Sequence, residues 1–560
     1  MPHLDDLLRA EYRAVFLDAV SHGRAKPFVV PYCILGIYVI PAVWLAIPHT
    51  SRPWVYWTRW PVVAFLIWFN MHILLHTSST NFSYSYAAGL APAWGIMLSL
   101  NFLIWKRPQF EAARVIKVPK STDKAPVNED QVLPAQQVVP AQQVVPAQQV
   151  VPAPNHLPSA SEDALRKRNP GSATPTHAHA QAHAHDTIRD EKSREESYEY
   201  RWQTFPRDAP FLERLGWTLD LVSSCRGAGW NHSINSIPRP DIPPVIRPNA
   251  KVDITTVPRQ TSSGYVRPLG VADFLRDRLT TIFFTYLILD FLLIQMVTDP
   301  YTLSGPDRSL STTSSPQQHY PPWAQTFYRE CLSLVCIWST ITLLFASNDL
   351  VLYPIFRTFF PSRAALWQFP TTFGGIAQVP NRGLAGWWGA WWHQTFRLSF
   401  LGPSVYLINK GYIRRGSKAA DAFGLFISFF QSSLLHVAGS FTALPPTKLW
   451  RPMAFFLLQG VGIFLQQQLI SVLKRPCVNA PRLVRQTGNV LFCLLWLCLT
   501  APMFLDDLAS AGLWLHEPIP ISPFRLLGFG RAGDHWWRWD RHTLPRWSPA
   551  KHWWEVGIAL

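Results

Sequence analysis

The chain lacks a cysteine framework, since none of its seven cysteines forms a CxxC pair; structural zinc and a disulfide scaffold are excluded, and free thiols are expected. Cys33, Cys331, Cys336, Cys493 and Cys498 fall instead in apolar segments. It lacks a folded basic module as well. The formal net charge of +16 is scattered through loops beside apolar runs, which excludes a nucleic-acid domain and fits anionic headgroups or an anionic co-substrate. No internal repeat relates the two halves of the apolar sequence, which weighs against a secondary transporter. The amino-terminal stretch carries acidic residues and has no cleavable leader pattern, so the first apolar block is expected to act as an uncleaved signal. The short periodic apolar runs of a soluble core are also missing.

What is present is long apolar blocks separated by polar loops. A helix needs about 20 mostly apolar residues to cross the hydrocarbon, where lipid offers the backbone no hydrogen-bond partner. Candidate spans are 28–47, 60–77, 86–105, 274–297, 327–353, 398–413, 420–442, 452–473 and 488–508. The expected fold is therefore an all-α polytopic membrane protein with about 8–9 transmembrane helices and a disordered insert. The sixth stretch is short and holds Pro403, so it reads as a broken or re-entrant helix. A mean hydropathy of only +0.04 hides this pattern because residues 106–270 are almost wholly polar and dilute it. The 26 tryptophans suit a membrane interface, where an apolar ring and an N–H donor are both accommodated.

Four regions follow. Residues 1–105 hold three spans, 106–214 form a polar, largely disordered insert, 215–515 form the core, and 516–560 form a Trp-rich basic tail read as an interfacial anchor. Within the insert, repeats of VVPAQQ run from Val132 to Pro154 and precede His177, His179, His183 and His185. Such low-complexity sequence has too little apolar content to order itself, and these histidines read as a solvated tract with no resident metal. Lys106 and Arg107 close the third span, whereas the preceding loop has no Lys or Arg; the positive-inside bias places the insert in the cytosol, against the pull of Arg24 and Lys26.

Two histidines carry the strongest chemical signal. Trp387-Trp388-Gly389-Ala390-Trp391-Trp392-His393-Gln394-Thr395-Phe396-Arg397 packs aromatics around one imidazole. An interfacial belt would use the same rings, but a buried imidazole must find hydrogen-bond partners, and Gln394 and Arg397 stand beside it. Phe429-Phe430-Gln431-Ser432-Ser433-Leu434-Leu435-His436 sets a second imidazole inside an apolar helix, where ionisable groups are costly and mark functional sites. Asp290 in the fourth span, and His72 with His76 on one face of the second, are further intramembrane polar groups. They line an acceptor cavity or serve helix packing, and no further metal ligands accompany the His72/His76 pair. Arg226-Gly227-Ala228-Gly229-Trp230-Asn231 reads as a tight turn with Trp230 at the interface.

These segments together resemble the wax synthase-like branch of the membrane-bound O-acyltransferase superfamily. Its pattern F-W-G-R-R-W-H-Q-x-F-R is matched at Trp388, Gly389, Trp392, His393, Gln394, Phe396 and Arg397, and its S-G-x-x-H at Ser432 and His436. Arg226 to Asn231 is similar to a fungal R-G-x-G-W-N motif, and Ala501-Pro502-Met503-Phe504 resembles the closing span. Residues 215–515 are covered. The sequence departs at Ala390-Trp391, at Ser433 and at Val437, where the family has a basic pair, a glycine and an acid.

The resemblance implies an acyl-CoA-dependent O-acyltransferase of the endoplasmic reticulum, moving an acetyl group from acetyl-CoA to the hydroxyl of a hydrophobic acceptor. Among fungal secondary-metabolite enzymes that acceptor is a terpenoid or a related compound. A long-chain wax or sterol ester synthase is the alternative within the class, and a proton-coupled transporter the alternative outside it. His436 is then the general base, and His393 orients the acyl donor or stabilises the oxyanion with Gln394. Trp392, Gln394, Arg397, Ser432 and Asp290 are expected to contact substrates, with Arg397, Arg414 and Arg415 nearest for the phosphates of CoA.

Overall fold

The computed structural model describes residues 3–120, 198–308, 319–473, 479–550 and 552–560. The VVPAQQ repeats and the histidine tract lie outside the described residues. Among those described, seven helices are long and apolar enough to cross a membrane: Pro53–His76, Phe82–Trp105, Val271–Met296, Pro322–Phe359, Lys418–Phe441, Trp450–Val472 and Arg482–Ser510. Each coincides with an expected span. The other two expected spans are apolar but shorter or broken. Tyr32–Leu45 is a short helix that opens with tight and wide turns, and 398–413 is split into Arg397–Phe400 and Gly402–Asn409. Gly402-Pro403 restarts the helix there, because Pro suits a first turn and cannot continue a previous one.

The main helices are α1 (Leu4–Ser21), α2 (Arg59–His76), α3 (Phe82–Leu100), α4 (Phe211–Ser223), α5 (Val271–Met296), α6 (Pro322–Phe359), α7 (Lys418–Phe441), α8 (Trp450–Val472) and α9 (Arg482–Ser510). The crossing of α3 and α7 positions the site. Asn81 caps α3 by accepting from Ser83 N at 2.8 Å, and Ser417 caps α7 by accepting from Ala420 N at 3.2 Å. The two helices then meet backbone to backbone. A Cβ on Gly89 would stand 1.8 Å from the carbonyl oxygen of Ala438, so only glycine permits the approach. Thr442 Oγ1 donates to the Ser85 carbonyl at 2.6 Å and fixes the register.

The flanks of the polar insert are ordered. Strands β2 (Ala113–Pro119) and β3 (Tyr198–Thr204) pair antiparallel from Ala113 opposite Thr204 to Pro119 opposite Tyr198, after a short β1 at Val29–Val30. Trp230 belongs to the core, contrary to the expected interface position. It is 1% exposed and meets Trp217 edge to face at 4.9 Å, because the turn folds inward to bridge Arg114 of β2. Gly227 and Gly229 do take positive φ, +67° and +79°.

The carboxy-terminal tail is tied to the amino-terminal region. Strand β5 (Gly557–Ala559) lies between β1 and β4 (Arg546–Ser548). Helix α1 buries Leu8, Tyr12, Phe16 and Ala19, one face of a helix by their spacing, and Tyr12 Oη donates to the Ser510 carbonyl at 3.0 Å.

Candidate active site

A cavity of about 1460 Å³ opens among α3, α6, α7, α8, α9 and the segment 382–401. Single drug-sized ligands occupy about 300–1,000 Å³, so there is room here for a lipophilic molecule and the reactive arm of a second one. Its wall is mostly apolar. The imidazoles of both His393 and His436 line it, together with Trp392, Gln394, Arg397 and Ser432. Residues separated by more than forty positions in sequence are thus brought to one chamber.

His436 is held on three sides. Its ring stacks on Phe456 at 4.1 Å with an interplanar angle of 8°, meets Phe504 edge-on at 5.3 Å, and places Nδ1 2.7 Å from the Tyr86 hydroxyl. Tyr86 is a residue that sequence patterning missed, since a tyrosine in a Ser-Tyr-Ser-Tyr run looks like an ordinary helix start. Its ring lies flat on Gly439, where a Cβ would come within 2.7–2.8 Å of the ring carbons. The Tyr86 hydroxyl adjoins Ser440, and Ser440 Oγ donates to Asp507 Oδ2 at 2.5 Å. Asp507 is fully buried. The four groups form a polar file, Asp507, Ser440, Tyr86 and His436, through otherwise apolar packing.

His393 follows a wide five-residue turn, Trp387–Trp391, closed by Trp392 N donating to the Trp387 carbonyl at 2.8 Å. Wide turns of this kind concentrate at functional sites. Gly383 takes φ +59° just before it, and Gln466 fills the space a side chain would need. The His393 Nδ1 is enclosed and has no acceptor or donor opposite it among the described residues, a costly state for a buried polar atom unless a ligand meets it.

Gln394 and Arg397 line the cavity and also brace the turn, Arg397 through Nη1 alone. Gln394 Nε2 donates to the carbonyls of Trp388 and Trp392 at 2.9 and 2.7 Å, and its Oε1 accepts from Arg397 Nη1 at 2.8 Å. Arg397 Nη1 also donates to the Gly389 carbonyl at 2.6 Å. With both amide hydrogens engaged, Gln394 is a clamp on the loop and has no donor left for an oxyanion. Asp290 does not line the cavity. It is fully buried, accepts from Ser522 Oγ and from Phe524 N at 2.9 Å, and so anchors the tail. The exposed Arg414 and Arg415 are absent from the lining, whereas Arg382 and Lys418 are part of it. The His72 and His76 rings sit 4.5 Å apart, and no cluster of three metal-ligating side chains exists among the described residues.

Comparison with known proteins converges on the same segment. The sequence profile described as the membrane bound O-acyl transferase family matches residues 369–458, which contain both histidines. The chain is 34% identical over 166 residues to acetyltransferase ataH of Aspergillus terreus (strain NIH 2624 / FGSC A1156), covering 28% of this chain and 52% of the relative. It is 27% identical over 143 residues to acetyltransferase ple2 of Rhodocybe pseudopiperita, covering 25% and 38% respectively. The chain thus spans about half the length of the first relative and less of the second. No solved structure matches it. The chain is a polytopic helical membrane protein similar to the membrane bound O-acyl transferases, and the segment that matches them, residues 369–458, contributes both His393 and His436 to the cavity.

Proposed function

We propose that the protein is a membrane O-acyltransferase that moves an acyl group, acetyl by its similarity to the two acetyltransferases, from acyl-CoA to a hydroxyl of a hydrophobic acceptor. The acceptor class we assign is a terpenoid or related secondary metabolite, and the compartment the endoplasmic reticulum. One observation carries this reading: two imidazoles face one large apolar chamber. Such a chamber admits an apolar alcohol from the lipid side, and the exclusion of water protects a thioester from hydrolysis.

His436 acts as general base. Attack of the acceptor oxygen on the thioester carbonyl forms a C–O bond and breaks the C–S bond, while the hydroxyl proton passes to the imidazole and on to the departing CoA sulfur. For Nε2 to take that proton, Nδ1 must carry the hydrogen. The polar file supports that tautomer. Ser440 donates its hydrogen to Asp507, which leaves the Ser440 oxygen to accept from Tyr86 and the Tyr86 oxygen to accept from Nδ1–H of His436. Tyr86 is a positioning residue on this scheme. His393, with its unmet Nδ1, holds the acyl carbonyl as charge develops on its oxygen.

The test is incubation of membranes bearing the full chain with labelled acetyl-CoA or, in parallel, a labelled long-chain acyl-CoA, and a panel of lipophilic alcohols. A labelled ester is expected with at least one acceptor. Label that appears only with long-chain acyl-CoA would transfer the reading to a wax or sterol ester synthase, and no ester from any donor would refute acyl transfer.

A further inference from the structure

A second polar site lies away from the cavity, on the side of the membrane where the insert emerges. Helix α2 begins at Arg59, and the antiparallel span Phe82–Trp105 ends just before Arg107, so the two arginines meet at the same end. Both stack on one ring. The Arg59 guanidinium sits 3.9 Å from the Tyr56 centroid and 5.4 and 5.3 Å from Trp57 and Trp60. Arg107 sits 5.6 Å from Tyr56 and 4.2 Å from Phe110.

Two like charges held against one tyrosine repel, and no side-chain ion pair among the described residues engages either guanidinium. Glu111 is close in sequence, but its Oε1 accepts from the backbone N of Arg107 at 2.7 Å. Arg59 Nε and Nη1 and Arg107 Nε are enclosed without an acceptor. His49 adds no third cation, since burial, and then the fields of Arg59 and Arg107, push its imidazole down to about 4. Both arginines are half-buried, so the outer edges of their guanidinium groups reach the surface.

We propose that Arg59 and Arg107 form a binding site for a phosphate group at the membrane interface. Guanidinium groups fixed by ring stacking hold their outward N–H donors in place for phosphate oxygens, at least one from each arginine. The surroundings match a headgroup position. Trp54, Trp57 and Trp60 are 72%, 61% and 49% exposed on the same turn, and exposed tryptophans settle at headgroup depth. The ligand is the phosphate of a phospholipid or a free phosphate, and the test separates the two. This site is independent of acyl transfer, and its test reads no activity.

Purified full-length protein in a non-ionic detergent is titrated with short-chain phosphatidic acid, with the matching diacylglycerol, and with inorganic phosphate, following thermal unfolding. Phosphatidic acid is expected to raise the midpoint by several degrees, and R59Q/R107Q to weaken that response at least tenfold in apparent affinity. The exposed Arg52 is the control, and R52Q is expected to respond as the parent does. A rise with phosphatidic acid alone identifies a lipid headgroup, and a rise with inorganic phosphate as well identifies a free-phosphate site. Should R59Q/R107Q fail to fold, R59Q and R107Q singly carry the comparison, each expected to be several-fold weaker. The proposal is overturned by an equal response to diacylglycerol, by an unchanged response in the arginine variants, by an equal loss in R52Q, or by no response to either phosphate ligand.

Discussion

Replacing Tyr86 by Phe isolates one atom of the scheme. The phenylalanine ring keeps the contact with Gly439 and the wall of the cavity, and only the hydroxyl 2.7 Å from His436 Nδ1 is lost. A buried hydrogen bond of this kind contributes about 1–2 kcal/mol. Spent on holding the imidazole in one tautomer and one orientation, that is about 5- to 30-fold in rate, well short of the roughly 10²- to 10⁴-fold that general-base catalysis supplies. The assay is ester formation from labelled acetyl-CoA, with thermal unfolding of the same preparation as control. The expected outcome is a fall in kcat with KM for acetyl-CoA little changed and a midpoint close to that of the parent. Ser440→Ala, one step further along the file, should show the same signature more weakly. An unchanged rate in Tyr86→Phe would refute the polar file, and a rate lost only in step with the midpoint would reduce Tyr86 to a packing residue.

Gly439→Ala is expected to be worse than Tyr86→Phe for activity, because the new methyl would stand 2.7–2.8 Å from the Tyr86 ring and force it off His436. Its stability cost, about 1–3 kcal/mol for overpacking, is readable by thermal unfolding. The contact between the two termini should be acid-sensitive. Burial alone would raise the carboxyls of Asp5 and Asp534, but Arg9, Arg531 and Arg538 around Asp5, and Arg531 and Arg525 around Asp534, hold both below the ordinary carboxylate value. A depressed folded pKa makes their stabilisation complete above the unfolded value of about 4 and lost as pH falls through the folded one. Protease access to α1 should therefore rise as the pH is lowered below about 4, and Asp5→Asn should reduce that pH dependence. An access profile flat in pH would remove the electrostatic account of the contact.

The spans were legible because lipid imposes a length and an apolarity that few other structures need, and even the break at Gly402-Pro403 could be read from its prolyl ring. His393 and His436 stood out for the same reason, as ionisable groups inside apolar sequence. Their surroundings were hidden. Tyr86 reaches His436 across 350 positions, and nothing local marks that contact. Asp290 gave the same signal as the histidines, an acid inside a span, yet its partners Ser522 and Phe524 belong to the tail, so burial alone did not separate an anchor from a site residue. Gln394 lines the cavity as expected but has no amide hydrogen left for an oxyanion, because which atoms a side chain spends on its own loop depends on a wide turn that composition does not announce. Trp230 was read from the interfacial habit of tryptophan, and the inward fold of its turn against Trp217 overrode that habit.

The central claim, that His436 removes the acceptor proton in a chamber shared with His393, is tested most directly by labelled acetyl transfer in His436→Ala set beside the unaltered protein in the same membranes. A loss of about 10²-fold or more in kcat, with thermal unfolding preserved, is the result expected of a general base. Ester formation by His436→Ala at the parental rate would contradict it.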